Sequence, residues 1–231
     1  FIDTAPSYGD TEETLGRIQL HQSIATKVTV DASDISTILK SIDLSRKRLK
    51  VDSLDLVVIH NWDVLSQSDK YKFVEVMQNC VLEETIKRWG FSTYEVSEIA
   101  KLKTNGWRDL TVQINSNVLD QRILEISTPH NSTDFKSRNI EIWVRSIFLQ
   151  GVLLDNSPKN PYITHPDIKS FFSACANLNT SPIEMCLAYI RLMVIVDCVI
   201  IGIENDVQLN QIGSALQVRI PKIDFRRLES R

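Results

Sequence analysis

The stretch Leu54-Asp-Leu-Val-Val-Ile59 is short and almost continuously apolar. A strand with one wet face alternates apolar and polar residues. A strand covered on both faces has no need to, and that environment belongs to parallel sheets. Comparable candidates lie near residues 1–4, 23–28, 87–92, 110–115, 142–147 and 198–203, which makes seven strands with 54–59. Helical patterns fill the gaps between them. Thr11 to Gln19 carries acids in its first turn, where they complement the helix dipole. Behind a Ser33-Asp34 cap, Ile35, Ile38, Leu39, Ile42 and Leu49 recur at helical spacing. After a polar loop over Asn61 to Asp69 a helix runs towards Glu84, and another spans Glu95 to Lys103 until Asn105-Gly106 stops it. Ser170 to Val196 covers one or two helices, with Pro182 suited to a helix start, and Val207 to Leu216 forms the last. Pro129-His-Asn-Ser-Thr133 interrupts a helix that would otherwise continue over 122–139. Strands alternating with helices and no hairpin signal predict parallel βαβ units. No G-x-G-x-x-G follows any strand, which weighs against the doubly wound open sheet as the alternative.

With 231 residues, 43% apolar and 24% charged, the chain can bury one sizeable core, and a single domain over 1–231 is the economical reading. A net charge of −3, with no basic stripe, speaks against nucleic acid as a partner. Cys80, Cys175, Cys186 and Cys198 lack C-x-x-C spacing and read as reduced, buried thiols of a cytoplasmic protein, with no metal site. The apolar run Leu192 to Val196 is broken by Asp197, too short for a bilayer span.

Chemistry concentrates at the beginning of the chain. Phe1-Ile-Asp-Thr-Ala-Pro-Ser-Tyr-Gly9 reads as the end of a buried strand opening into a polar loop, with Asp3 and Tyr8 five residues apart. Lys27 closes the strand-like Ser23 to Val28, and His60 closes Ser53 to His60. Taken singly, an Asp at a strand end is more often a cap, a Tyr-Gly usually a turn, and a His after an apolar run commonly a hydrogen-bonded core residue. Together, D-T-A-x-x-Y-G followed by E-x-x-L-G (Glu12 or Glu13, Leu15, Gly16) resembles the signature of the aldo-keto reductases. The resemblance implies an α/β fold, the (β/α)8 barrel, with active site at the C-terminal ends of the strands. Seven strands are then the barrel less its first strand, which would precede Phe1. Such a chain is expected to bind cofactor weakly and turn over little without it.

The resemblance also implies roles. Hydride transfer to a carbonyl leaves negative charge on oxygen, so a proton donor must face that oxygen. A free phenol is a poor donor near neutrality, and a cation beside it favours the phenolate. Tyr8 is thus the implied acid, Lys27 its tuner, Asp3 the residue that orients Lys27, and His60 the donor that fixes the substrate oxygen. Nothing suggests flavin or metal, so the cofactor is NADP or NAD. Its carboxamide would meet Ser92, Thr93 and Gln113. Arg145, Ser146, Phe148, Gln150 and Gly151 would follow the nicotinamide and pyrophosphate, and Gly202 and Gln208 the far end.

Three features depart from the family's pattern. Thr93 replaces the usual Asn, and Arg145 stands where an aromatic ring usually stacks, a role that a guanidinium plane can also fill. Glu204 and Asp206 lie where a 2′-phosphate would sit, which favours NAD or indifference, whereas family habit favours NADP. Trp62, beside His60, either walls the pocket or packs beneath it. The proline-rich loop over Gly151 to Asp167 (Pro158, Pro161, Pro166) would serve as a lid or be mobile. Phe148-Leu-Gln-Gly151 beside Arg145-Ser146, together with Asn117 to Arg122, is similar to a bacterial branch found with surface-sugar biosynthesis, implying a small sugar-related carbonyl substrate. A non-catalytic or decayed nicotinamide-binding family member, acting as a regulatory or interaction subunit, is the alternative.

Overall fold

Five parallel strands carry the first of two compact units, Phe1–Ile114 with Lys136–Ile142; the second is Asn115–Phe135 with Trp143–Arg231. The structure, a computed structural model, describes residues 1–19, 21–218 and 225. In the first unit β1 (Ile2–Asp3), β2 (Ile24–Val28), β3 (Leu56–Ile59), β4 (Trp89–Thr93) and β5 (Leu110–Asn115) pair as parallel neighbours. β6 (Ile140–Arg145) starts beside β5, where Leu110 N donates to Asn139 O. Its second half belongs to the second unit, where Ile200 N, just past β7 (Val196–Val199), donates to Val144 O. Strand order follows chain order from β1 to β7.

The register fixes which residues share a face. Asp3 pairs with Ala25, Lys27 with Val58, Val58 with Gly90, Gly90 with Thr111, and Ser92 with Gln113. Successive side chains alternate across a strand, so Asp3, Lys27, Ser92 and Gln113 lie on one face. Thr26, Val57, Ile59, Phe91, Thr93 and Val112 lie on the other. In a flat sheet β1 and β5 would stand four strand spacings apart, about 19 Å. Yet Gln113 Nε2 lies 3.0 Å from Asp3 Oδ1. The sheet of this unit is therefore curled, with the Asp3 face inside.

Helices cover the outer face. α1 (Thr11–Ile18) buries Glu12, Leu15 and Gly16. Thr26 Oγ1 donates to Glu12 Oε1 at 2.6 Å, and Arg48 Nη1, on α2 (Ser36–Leu49), pairs with Glu12 Oε2 at 3.4 Å. A Cβ on Gly16 would stand 2.1 Å from Arg48 O, so α1 and α2 approach this closely only through glycine. The E-x-x-L-G motif is thus a packing device, and Glu12 rather than Glu13 is its acid.

A second buried acid closes the far side of the unit. Glu98, on α4 (Val96–Thr104), accepts from Trp62 Nε1 at 2.9 Å and pairs with Lys70 at 2.8 Å and Lys101 at 2.7 Å. Lys70 belongs to α3 (Gln67–Leu82), and Trp62 stacks on Phe91 with ring centroids 4.3 Å apart.

The second unit rests on helices α6 (Pro166–Asn177), α7 (Pro182–Ile190) and α8 (Asp206–Ala215). Pro182 starts α7 behind a Ser181–Glu184 capping box, as its position predicts. Pro166 starts α6 and so ends the proline-rich loop rather than belonging to it. Burial pushes the Cys175 thiol up to about 11 and Cys186 higher still, Cys80 is raised by burial too, and none of the four cysteines forms a disulfide. Among the described residues no helix is long and apolar enough to cross a membrane.

Other boundaries differ from the sequence reading as well. Pro129 begins α5 (Pro129–Ser137) rather than interrupting a helix, because its fixed φ and missing N–H suit a first turn. β6 lies two residues earlier than 142–147, since Ser146 adopts a left-handed φ of 63° that ends the strand. β7 stops at Val199 rather than continuing to 203, and its residues are half exposed, so burial does not mark its limits as it does for β3.

Burial raises the Glu98 pKa, but hydrogen bonds from Lys101, Lys70 and Trp62 outweigh it and leave the carboxyl below its ordinary value. A depressed folded-state pKa contributes stability above the unfolded value of about 4.3 and loses it as pH falls through the folded value. Glu98→Gln, which strands Lys70, is expected to cost about 3 kcal/mol at neutral pH. Urea unfolding should show the gap to wild type shrinking below about pH 4; a gap constant with pH contradicts this role.

Candidate active site

The D-T-A-x-x-Y-G segment builds one corner of the inner face. Thr4 N donates to Ala25 O at 2.8 Å, keeping the chain in the sheet one residue beyond Asp3. A turn follows, closed by Tyr8 N to Ala5 O at 3.0 Å, and Gly9 takes a left-handed φ of 69°. That reversal carries the Tyr8 ring back over Lys27, whose Nζ lies 5.2 Å from the ring centroid.

Lys27 is buried, with 3% of its side chain exposed, and is paired by its Nζ with Asp3 Oδ2. Nζ also donates to Thr4 O at 3.2 Å. Charged lysine is rarely buried unless paired, and here Asp3 supplies the pair while Gln113 occupies the other carboxylate oxygen. Tyr8 remains about half exposed. Lys27 meets it through the ring face, and its hydrogen bonds go to Asp3 and Thr4.

His60 follows β3. Its backbone N donates to Val28 O at 2.8 Å, extending the β2–β3 ladder, so by alternation from Val58 it falls on the face of Lys27. Asn61 next to it clamps the neighbouring loop in both directions. Val30 N donates to Asn61 Oδ1 at 2.9 Å, and Asn61 Nδ2 donates to Val30 O at 2.8 Å. Sequence reading missed Asn61; its only signal was adjacency to His60.

Of the residues assigned to the cofactor's carboxamide, two face inward. Ser92 and Gln113 are register partners, both buried, and Ser92 Oγ and Gln113 Oε1 have no hydrogen-bond partner. A buried polar atom without a partner costs about 1–3 kcal/mol. One hydroxyl and one amide oxygen side by side suit a group that both accepts and donates, as a primary carboxamide does. These residues fit the nicotinamide end of a dinucleotide. Thr93 falls on the opposite face and is fully buried. Its hydroxyl donates to Asp63 Oδ1 and accepts from Glu95 N at 2.9 Å, so it serves the β3 and β4 loops. Trp62 is fully buried too, a packing residue rather than a pocket wall.

The other candidates belong to the second unit. Arg145 ends β6 half-buried, and Ser146 Oγ donates to Asn115 Oδ1 at 3.4 Å. Phe148 is buried, Gln150 is exposed, and Leu149, Gln150 and Gly151 all have positive φ, a tight bend just past the strand. Gly202 is exposed. Gln208 folds back on Glu204, whose N donates to Gln208 Oε1 at 2.8 Å, while Asn205 Oδ1 caps α8 by accepting from Gln208 N at 3.0 Å. A cleft of about 470 Å³ at Trp89, Leu110 and Glu141 opens at the N-terminal ends of the strands, away from Asp3 and Lys27.

Comparison with solved structures shows the same fold in proteins of low identity. The aldo-keto reductase AKR11C1 from Bacillus halodurans, in its apo form, superposes with a TM-score of 0.75 at 19% identity, over 98% of this chain and 79% of its own. An aldo/keto reductase from Klebsiella pneumoniae, solved in complex with NADP and acetate, gives 0.68 at 20% identity over 98% and 78%. The thermostable aldo-keto reductase Tm1743, solved with the inhibitor epalrestat, gives 0.71 at 18% identity over 98% and 80%. These matches bear out the α/β barrel architecture expected from the motif. The Aldo/keto reductase family matches residues 1–231, the whole chain, and to that family this protein belongs.

Proposed function

We propose that this protein reduces an aldehyde or ketone to an alcohol with a nicotinamide dinucleotide, using Tyr8, Lys27, Asp3 and His60. The observation that carries the reading is the buried Lys27–Asp3 pair with the Tyr8 ring against its ammonium. A bound nicotinamide dinucleotide supplies the hydride. Tyr8, half exposed, gives its hydroxyl proton to the carbonyl oxygen as charge develops there. The Lys27 charge favours the phenolate left behind, and Asp3 holds that charge at a fixed distance. His60 offers a hydrogen bond to the substrate oxygen and so orients the carbonyl. Ser92 and Gln113 hold the cofactor's carboxamide.

Tyr8→Phe keeps the ring and removes the proton. It is expected to lower kcat on a carbonyl panel by about a hundredfold or more while nucleotide affinity, read by fluorescence titration, stays within about threefold. An unchanged rate would remove Tyr8 from the mechanism. A panel that includes sugar aldehydes and nucleotide-linked keto sugars tests the sugar-related substrate that Asn117 to Arg122 and Arg145-Ser146 suggest by resemblance.

The cofactor form is open to the same titration. NADP is bound by the Klebsiella pneumoniae relative. In this chain Glu204 and Asp206 stand at the start of α8, and the Gln208 amide is engaged with Glu204. Two carboxylates there disfavour a 2′-phosphate, so NAD is used at least as readily as NADP. Glu204→Lys is expected to shift the NADPH to NADH affinity ratio towards NADPH by about tenfold at low salt, and less as salt rises. A ratio that does not move would place the phosphate elsewhere.

A non-catalytic or decayed family member acting as a regulatory or interaction subunit is the second reading, favoured by the departure of Thr93 from the cofactor shelf to the opposite face. Nucleotide binding with no reduction of any panel member would establish it.

A further inference from the structure

We propose that Asp3 has a second task besides holding Lys27: its carboxylate fixes which way round the Gln113 amide stands, and so makes the inner face selective for a carboxamide N–H donor. This rests on the reading that a nicotinamide nucleotide binds here. An ionised carboxylate accepts hydrogen bonds and donates none. Asp3 is paired with Lys27, so the end of Gln113 that faces its Oδ1 at 3.0 Å must be the NH2. The amide oxygen is thereby turned away from Asp3, buried and without a donor. Its register partner Ser92 holds a buried hydroxyl, also unpartnered.

The two atoms together present one obligatory acceptor and one hydroxyl. A primary carboxamide satisfies both, its N–H2 giving to Gln113 Oε1 and its carbonyl oxygen accepting from Ser92. A methyl ketone of the same shape satisfies Ser92 alone and leaves the Gln113 oxygen facing a methyl group. With an amide in place of the carboxylate, Gln113 could turn over without loss, because Asn offers both a donor and an acceptor. The preference would then disappear. In this way the residue that positions the amine of the proposed chemistry also sets the polarity of the cofactor's seat, 110 residues away in sequence.

The test is equilibrium binding, independent of turnover. NAD+ and NADP+ are each titrated beside their 3-acetylpyridine analogues, in which the carboxamide NH2 is replaced by a methyl group, with tryptophan fluorescence as readout. Wild type is expected to bind the carboxamide form about tenfold more tightly. Asp3→Asn should reduce that ratio to within about twofold, and Asp3→Glu, which keeps an acceptor-only partner, should restore most of it. Ser92→Ala should weaken both ligands alike and leave the ratio unchanged. Gln113→Met, which spares the Asp3–Lys27 pair, must abolish the preference even if Asp3→Asn does not fold. A ratio that survives Asp3→Asn or Gln113→Met overturns the proposal while leaving the proposed function intact, as does a wild type without preference. If no form of the nucleotide binds wild type, the underlying reading fails, and this proposal with it.

Discussion

One carboxylate holds the first unit's inner face together. Asp3 accepts from Lys27 on one oxygen and from Gln113 on the other, joining β1 to its neighbour β2 and to β5, four strands away. A flat sheet could not make the second contact. The curl of the sheet, the burial of a lysine and the gathering of polar groups on one face are therefore one physical event. Removing the acid would strand a charged amine and an amide donor in a water-poor interior, where each needs a partner.

The other buried acids perform a different task. Glu12 ties α1 to β2 and α2, and Glu98 ties α3, α4 and the turn after β3 through Lys70, Lys101 and Trp62. Both lie on the helix-covered side. Asp3 lies on the opposite side of the sheet, where its partner Gln113 has an unsatisfied amide oxygen. On the helix-covered side Glu12 and Glu98 are matched by partners, and on the inner face Ser92 and Gln113 each keep a buried atom unpartnered.

Much of this was legible in the sequence, for a physical reason. β3 is buried along its whole length, so its apolar run reveals it; β7 is half exposed, and its limits were misjudged. The order Asp3, Tyr8, Lys27, His60 was readable because each residue sits at or just past a strand end. Helical phase could have chosen Glu12 over Glu13, since Glu12, Leu15 and Gly16 fall at i, i+3 and i+4 on one face. The commitments of Thr93 to Asp63, of Trp62 to Glu98 and of Asn61 to Val30 were not legible. Each depends on a partner 30, 36 or 31 residues away that no local pattern designates. Thr93 is instructive in that strand alternation alone separates it from Ser92, so period-2 parity is a sharper guide to a strand-end site than adjacency in sequence.

The sheet of the first unit curls until Asp3 and Gln113 touch. A double-mutant cycle of Asp3→Ala and Gln113→Ala in urea unfolding measures that contact directly. A coupling free energy of about 1 kcal/mol or more is expected for groups sharing a buried charged hydrogen bond. Effects that add to within about 0.3 kcal/mol would mean that β1 and β5 do not meet and that the sheet is not curled in this way.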